Sequence, residues 1–175
     1  MSKGFICQSS SPFVAPVLFA KKSGGGLRFG TNHRNINSKT IKNRYRLPVI
    51  RETMNLLRKA KIYTKLDVGG AYNRLRVKEG DEHKLAFRTR YGLFEPTVMQ
   101  FGTMNAPADF QGYIHTTIRE ALADFASAYL DDVLIYSDSE EDHVEHVKLV
   151  MQHLLEAGLY LKSEKCEFHN ETVRY

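Results

Sequence analysis

Three aspartates are the residues of this chain best suited to chemistry. Asp131 and Asp132 stand side by side between two apolar, strand-like runs, and Asp67 ends another strand-like run. A carboxylate among sheet-core residues carries a large desolvation penalty unless hydrogen bonds or a metal ion offset it. Mg²⁺ takes hard oxygen ligands and is usually held by one or two carboxylates together with substrate phosphates. The three acids therefore indicate a magnesium site at the ends of strands.

A simple hairpin turn is the alternative interpretation of Asp131-Asp132. Aspartate is common in turns because its side chain forms local hydrogen bonds there. Successive side chains of a strand point to opposite faces, so the two acids address one ion only if the turn redirects one of them. Spacing alone leaves both interpretations open.

The composition is that of a basic, globular chain. Its 175 residues suit one domain or two small lobes, and 42% hydrophobic residues can supply a core. The net charge of +5 and the pI near 9.2 favour a polyanionic partner. Cys7 and Cys166 have no metal-type spacing, which predicts a reduced, intracellular setting. No apolar run reaches bilayer length, and no signal peptide opens the chain.

The first half of the chain predicts a hairpin, a helix and several short strands. The hairpin is joined by Ser23–Gly26, whose glycines can adopt positive φ. The helix begins at Pro48 and ends near Ala60. The predicted strands are 16–22, 27–29, 61–67, 74–78 and 86–89.

The second half predicts two helices around an Asp131-Asp132 hairpin. The first helix starts at Asn105 as a cap and has Pro107 in its first turn. Asp138 or Ser139 caps the second, and Gly158 ends it. Strands and helices are mixed without a regular βαβ rhythm, which favours the α+β class. The apolar positions are Phe110, Ile114 and Ile118 in the first helix and Val144, Val147, Val150, Met151, Leu154 and Leu155 in the second.

Short motifs along nearly the whole chain resemble the reverse transcriptase of gypsy-like LTR retrotransposons. The resemblance implies a right-hand polymerase fold, with fingers and an antiparallel palm sheet backed by helices. It rests on the order and spacing of all the motifs together. They are Ser9–Pro12, Pro16–Phe19, Thr40–Tyr45, Lys65–Asp67, Ala86–Gly92, Phe101–Gly102, Asn105–Pro107, Tyr129–Asp132 and Lys165–Phe168.

The resemblance also implies an activity and its participants. The activity is RNA-directed DNA polymerase, which transfers a nucleotide from a dNTP to a primer 3′-hydroxyl with two Mg²⁺ ions, or Mn²⁺ in their place. The implied partners are an RNA or DNA template, a DNA primer and the remainder of a Pol polyprotein, with no membrane. The implied location is cytoplasmic virus-like particles with access to the nucleus. The implied domains are fingers at 1–60 with part of 73–110 and a palm at 61–72 and 105–175, without thumb, connection or RNase H.

Site residues follow from the matching motifs, position by position. Tyr72 would lie under the incoming sugar and collide with a ribose 2′-hydroxyl; without the resemblance it is an ordinary core tyrosine. Lys22 and Arg28 would contact the triphosphate; without the resemblance they are a solvated pair. The implied set is Asp67, Asp131, Asp132 and Lys165 for catalysis, Asp67, Val68, Asp131 and Asp132 for metal, Lys22, Arg28, Tyr72, Phe101 and Gly102 for nucleotide, and Lys42, Arg44, Tyr45 and Tyr129 for nucleic acid.

Two alternatives stay open on sequence alone. Departures from the family pattern favour a relic that binds nucleic acid without catalysis, although none removes a carboxylate, and activity of this chain on its own is an open hypothesis. His143-Val-Glu145 is similar to the His-x-Glu element of zinc deaminases, but the required Pro-Cys-x-x-Cys partner is absent from the sequence. We therefore predict that His143 and His146 lie on a solvated helix face. The departures are Asn32, His33, Arg46, Gly70, Pro96 and Gln100.

Overall fold

The chain folds into two compact units that each contain one β-sheet. The structure is a computed structural model, and it describes residues 4–21, 25–45, 57–58, 60–122 and 124–173. The first unit comprises Met1–Asn43 and Tyr72–Ala106, and the second comprises Arg44–Ala71 and Pro107–Tyr175.

The first unit is built on a mixed sheet with the strand order β1-β6-β5-β2-β3. β2 and β3 form the predicted antiparallel hairpin, in which Phe19 pairs with Phe29, while β2 and β5 are parallel. The ring of Phe29 also contacts Phe87 edge-on at 5.3 Å between centroids. A short helix, α1, follows β3. The bounds are β1 Ile6–Gln8, β2 Ala15–Lys21, β3 Leu27–Thr31, α1 Arg34–Asn37, β5 Phe87–Thr89 and β6 Gly92–Pro96.

The second unit is built on an antiparallel sheet with the order β7-β8-β4-β9. Leu66 and the run Val133–Ile135 are fully buried in this sheet. Burial on both faces explains why β8 is continuously apolar rather than alternating. The bounds are β4 Ile62–Asp67, β7 Ala126–Tyr129, β8 Asp132–Ser137 and β9 Glu167–Asn170.

Two longer helices, α2 (Ala106–Thr117) and α3 (Glu140–Glu156), accompany the second sheet. In α2 the predicted stripe of Phe110, Ile114 and Ile118 is fully buried. Its predicted cap, Asn105, instead bonds through its side chain to main-chain groups of residues 41 and 43. Pairing with that loop therefore occupies the amide that was predicted to cap the helix.

The capping predictions for α3 are correct, but its predicted apolar stripe is partly wrong. The Ser139 hydroxyl accepts the Asp142 N–H at 3.2 Å, and Gly158 follows the helix with φ +68°. The buried face consists of His143, Val150 and Leu154. Because the buried face begins at His143 rather than at Val144, three of the predicted apolar residues point outward. These exposed residues are Val144, Met151 and Leu155.

One predicted strand is wrong, and one predicted helix lies outside the described residues. Residues 74–78 form no strand: Ala71–Arg74 is a 3₁₀ turn, and Arg76 makes only an isolated bridge to Val98. The turn bond from the Leu75 N–H to the Tyr72 carbonyl replaces the ladder bond that a strand would need. Most of the helix predicted at 48–60 is not described. Among the described residues, no helix is long and apolar enough to cross a membrane.

Candidate active site

Two strands of the second unit bring Asp67 and Asp132 side by side. β4 ends at Asp67, β8 begins at Asp132, and the antiparallel register pairs these two residues directly. Directly paired residues share a face of a sheet, with Cβ atoms about 4.5–5.5 Å apart. Asp67 is 8% exposed, whereas the Asp132 side chain is 38% exposed. The sheet therefore presents one buried and one half-exposed carboxylate at the same end.

Asp131 lies in the turn that joins β7 to β8. Tyr129 pairs with Asp132, so Leu130 and Asp131 are the two turn residues. Leu130 has φ +52°, in the left-handed region that tight hairpin turns use. The Asp131 carbonyl accepts the Val68 N–H at 2.8 Å, which ties the turn to the chain just beyond β4. The predicted turn is therefore present, and it places the main chain of Asp131 at the same end of the sheet as Asp67 and Asp132.

Lysines contact two of these carboxylates. Lys162 forms an ion pair and hydrogen bond with Oδ1 of Asp67, and Lys165 Nζ lies 3.5 Å from Oδ2 of the same side chain. Lys65 Nζ lies 3.4 Å from Oδ1 of Asp132. The positive charges offset the repulsion between neighbouring acids. Lys165 was predicted from the resemblance, and Lys162 and Lys65 also contact these carboxylates.

Main-chain pairing explains why Lys162 reaches Asp67. The Lys162 N–H donates to the Asp67 carbonyl at 2.9 Å, and the Gly69 N–H donates to the Tyr160 carbonyl at 2.7 Å. A Cβ on Gly69 would lie only 3.2 Å from that Tyr160 oxygen and 3.3 Å from Lys162 Cγ. A glycine at position 69 therefore permits the close approach that seats the lysine.

The donor set fits a divalent cation in its chemistry. Carboxylate oxygens are the ligands that Mg²⁺ and Mn²⁺ prefer. Within the described part of the chain, no group of three or more His, Cys, Asp or Glu side chains is arranged so that it could hold a metal ion. Asp67 and Asp132 already bind ammonium groups, so a metal ion would take the place of a lysine contact.

In the first unit, three of the residues predicted to bind nucleotide lie together. The Arg28 guanidinium carbon lies 5.2 Å from the centroid of the Phe101 ring, and Tyr72 meets Phe101 edge-on at 4.8 Å between centroids. Gly102 has φ +102°, and a Cβ there would lie 2.7 Å from the Thr31 carbonyl oxygen. No other residue fits that backbone without displacement. Lys22, predicted to join this group, lies outside the described residues.

The residues predicted to contact nucleic acid are exposed. Lys42 belongs to the first unit, and Arg44, Tyr45 and Tyr129 belong to the second. The Tyr45 hydroxyl lies 3.1 Å from Nδ1 of His115, and their rings meet edge-on at 5.7 Å. Tyr45 is thus held in place while 41% of it stays accessible to a partner.

Comparison with known proteins decides the family. Residues 20–175 match the family described as reverse transcriptase (RNA-dependent DNA polymerase). The chain belongs to this family. It is also 42% identical, over all 175 residues, to the Transposon Tf2-3 polyprotein of Schizosaccharomyces pombe, and 41% identical to the Tf2-7 polyprotein. It spans 13% of the length of these polyproteins. The resemblance to reverse transcriptases of gypsy-like LTR retrotransposons is therefore confirmed.

Solved reverse transcriptases share the fold. A foamy viral protease-reverse transcriptase (dRH) in complex with ds DNA matches with TM-score 0.90 and 18% identity, over 99% of this chain and 30% of its own. Another, in complex with an RNA/DNA hybrid, matches with TM-score 0.84 and 18% identity, over 94% of this chain and 22% of its own. The predicted α+β right-hand polymerase fold is therefore confirmed. Reverse transcriptases generally use divalent metal ions.

The prediction that His143 and His146 lie on a solvated face is wrong for His143, and His146 is only partly exposed. His143 is 2% exposed, and its ring nitrogens lie 2.8 Å from the Thr64 hydroxyl and 2.9 Å from the Ser137 hydroxyl. The same Ser137 oxygen lies 2.8 Å from Nδ1 of His146, whose ring stacks on Phe125 at 3.7 Å. The first turn of α3 packs against the strand ends, where hydroxyl groups satisfy the imidazoles. Burial lowers the pKa of His143.

Two departures from the reverse transcriptase pattern occur together in the first unit. The Thr31 hydroxyl donates to Oε1 of Gln100 at 2.7 Å, and Nε2 of His33 lies 3.4 Å from the same oxygen. All three residues are buried, and burial lowers the pKa of His33. His33 and Gln100 therefore form a shared buried contact that neither departure suggests alone.

Sequence reasoning missed Gln111, the most completely buried polar side chain near the turn. It is 0% exposed and bonds to main-chain groups of residues 128 and 130. One signal was available, because a glutamine directly follows Phe110 in a helix whose other inward positions are apolar. A buried amide must find partners. The signal does not say where those partners lie in the sequence.

Proposed function

We propose that this chain is the catalytic domain of an RNA-directed DNA polymerase within a longer retrotransposon polyprotein. It would transfer a nucleotide from a dNTP to the 3′-hydroxyl of a primer. The observation that carries the proposal is the position of three acids at one end of the antiparallel sheet: Asp67 ends β4, Asp132 begins β8, and Asp131 lies in the turn before it. Family membership and identity to the Tf2 polyproteins over the full chain support it.

Asp67, Asp131 and Asp132 would hold two Mg²⁺ ions. Val68 would contribute its main-chain oxygen, since its side chain is apolar. When bound, the ions supply charge neutralisation for the attacking hydroxyl and the leaving pyrophosphate. Unequal exposure supports unequal roles, because buried Asp67 is held by its surroundings while Asp131 is accessible in the turn.

Lys165 would donate a proton to the departing pyrophosphate, and Lys162 would act as the counter-ion of Asp67. The lysine contacts support this division. The Lys162 side chain is 33% exposed and hydrogen-bonded to the carboxylate, whereas the Lys165 side chain is 59% exposed at the longer distance of 3.5 Å. An exposed amine that is loosely held is the better placed of the two to act as a general acid.

Arg28, Tyr72, Phe101 and Gly102, with Lys22, would bind the incoming nucleotide. The guanidinium fork of Arg28 suits phosphate oxygens, and it already stacks on Phe101. Gly102 supports the assignment because it lets main chain lie where a side chain has no room.

Template and primer would be bound by basic and aromatic side chains. Lys42 and Arg44 suit phosphate contacts, and Tyr45 and Tyr129 suit stacking on bases or sugars. The related structures in complex with ds DNA and with an RNA/DNA hybrid support a duplex as partner. Within this proposal we assign the fingers to the first unit and the palm to the second.

A primer-extension assay on a homopolymer template tests the proposal. The wild-type chain should add dNTPs when Mg²⁺ or Mn²⁺ is present and stop when EDTA is added, and Asp131→Asn should abolish extension. Asp138→Asn is the matched control, because Asp138 is exposed and lies just beyond the opposite end of β8. Extension that survives Asp131→Asn would refute the site. Duplex binding without metal-dependent extension would identify a relic that has lost catalysis.

A further inference from the structure

Gln111 makes three hydrogen bonds from a fully buried position in α2. Its Oε1 accepts the Leu130 N–H at 2.7 Å. Its Nε2 lies 2.8 Å from the Ala128 carbonyl oxygen and 2.6 Å from Nε2 of His115. A buried amide whose partners are all protein groups forms a fixed bridge between the elements that supply them.

The direction of each hydrogen bond is determined. A main-chain N–H can only donate, so the group facing Leu130 must be the amide oxygen. The amide nitrogen then donates one hydrogen to the Ala128 carbonyl and the other to His115, whose Nε2 must accept. The 3.4 Å approach of that Nε2 to the Ala128 oxygen is then a contact between two acceptors. Burial lowers the pKa of His115, which favours the neutral form that can accept.

The bridge spans the point where the turn needs support. Leu130 adopts φ +52°, a left-handed conformation that is unfavourable for a residue with a branched side chain, and it immediately precedes Asp131. Gln111 binds the chain at Ala128 and Leu130 and so holds both sides of Tyr129. The amide thus fixes the main chain that leads into the acid pair.

We propose that Gln111 is a positioning residue for Asp131: its amide holds the β7–β8 turn in the left-handed form and thereby sets where the Asp131 carboxylate lies. The inference deepens the proposed polymerase function and rests on it. Gln111 acts through Asp131 and contacts neither substrate nor metal.

The same amide connects the turn to Tyr45. With Nε2 of His115 accepting, the proton of this neutral ring resides on Nδ1, which donates to the Tyr45 oxygen at 3.1 Å. Gly112 makes room for the Tyr45 ring, because a Cβ there would lie 3.3 Å from a ring carbon. One chain of hydrogen bonds therefore orients both the acid turn and an aromatic side chain proposed to contact nucleic acid.

Two substitutions separate positioning from stability. Gln111→Met keeps the length of the side chain and removes every hydrogen bond, whereas Gln111→Glu keeps an acceptor for the Leu130 N–H and loses the donors. Gln152→Met is the matched control, since Gln152 is exposed on α3. We would measure amide hydrogen exchange at Leu130 and at Val133, and Mn²⁺ broadening of the Asp131 and Asp132 amide signals in NMR spectra. Single-nucleotide extension would give kcat and KM.

Gln111→Met should speed exchange at Leu130 at least about tenfold while Val133, in the β8 ladder, changes little. Removing a residue that orients a metal ligand, as Gln111 would orient Asp131, typically costs about 10–100-fold in metal affinity or activity. Mn²⁺ affinity and kcat should therefore fall by about that factor, with KM for dNTP nearly unchanged, and Gln111→Glu should recover part of the loss. Gln152→Met should match the wild type.

Unchanged exchange at Leu130 would overturn the inference, and so would faster exchange with unchanged Mn²⁺ affinity and kcat. If Gln111→Met does not fold, the same readouts on Gln111→Glu decide the matter. A wild-type chain that shows the Mn²⁺ effects but extends no primer would refute the proposed function and leave the positioning role standing. A wild type that shows no broadening at Asp131 would remove the metal site and the positioning role with it.

Discussion

The two ends of the β4–β8 strand pair stabilise their polar side chains in different ways. At one end, Asp67 and Asp132 are carboxylates whose partners are the ammonium groups of lysines. At the other end, Ser137 and His143 meet through neutral hydrogen bonds, and burial lowers the pKa of the histidine. Polar groups at the ends of an apolar strand thus serve either as a charged, partly hydrated site or as packed internal structure.

The difference indicates where function and stability are separable. At the charged end the lysines and Asp132 are partly exposed although Asp67 is buried. One cation can therefore replace another there at modest cost, because water screens the change in charge. A buried hydroxyl–imidazole network loses a full desolvation penalty when one member is removed. Substitutions at the lysine–aspartate end should therefore alter activity, and those at the histidine end should alter stability.

The largest expected effect is the loss of activity in Asp67→Asn. Removing a metal ligand forfeits several kcal/mol of transition-state stabilisation, so the extension rate should fall about 10³-fold or more. Circular dichroism should show an unchanged fold, since Lys162 keeps solvent access. Asp138→Asn should retain the wild-type rate. A substituted chain with near wild-type rate would show that the charged end is structural.

The next effect is on stability at the opposite end. His143→Leu leaves the Thr64 hydroxyl without an imidazole partner, whereas Ser137 keeps its contact with His146. We expect the free energy of unfolding to fall by about 2–3 kcal/mol. Val144→Ala, at the exposed position next to His143, should change it by less than about 0.5 kcal/mol. Urea denaturation of both variants measures this. Equal midpoints for the two variants would contradict the assignment of His143 to the core.

The histidine end should also make stability depend on pH. Burial places the folded-state pKa of His143 below its ordinary value, so the unfolded chain binds the proton more readily. Stability should be fully present above the unfolded pKa of about 6.5 and should fall as pH drops through that value toward the folded pKa. His143→Gln should make stability depend less steeply on pH. The dependence that remains should come from His33 and His115, whose pKa values burial also lowers. Urea midpoints at several pH values between 5 and 8 test it, and an unchanged slope would exclude His143 as a source.

The smallest expected effect belongs to Lys65→Met at the charged end. The pair with Asp132 is partly exposed, and such pairs contribute about 0.2–1 kcal/mol. The free energy of unfolding should therefore change by less than about 1 kcal/mol, with a smaller loss at high salt because the wild-type pair is screened. A loss comparable to that of His143→Leu would erase the contrast between the two ends.

Local signals in the sequence predicted most of the secondary structure. The caps at Ser139 and Gly158, the β2–β3 hairpin and the strand ending at Asp67 follow from residue types and periodicity over a few positions. The family resemblance correctly implied the right-hand fold, and its assignment of individual site residues stays a prediction.

What the sequence did not show depends on contacts between distant segments. Lys162 lies beside Asp67 because residues 160–162 pair with 67–69, and no periodicity encodes that pairing. His143 was assigned to the wrong face because its acidic neighbours suggested solvent, while its partners lie on two strands. The strand predicted at 74–78 failed because alternation over so few residues also fits a turn followed by a single bridge.

The left-handed backbone at Leu130 has a consequence for natural variation. Glycine relieves the conformational cost at such a position and asparagine reduces it, whereas valine, isoleucine and threonine increase it. Alleles at codon 130 should therefore sort by backbone preference rather than by hydrophobicity. A β-branched residue at position 130 would persist only if another benefit outweighed its conformational cost.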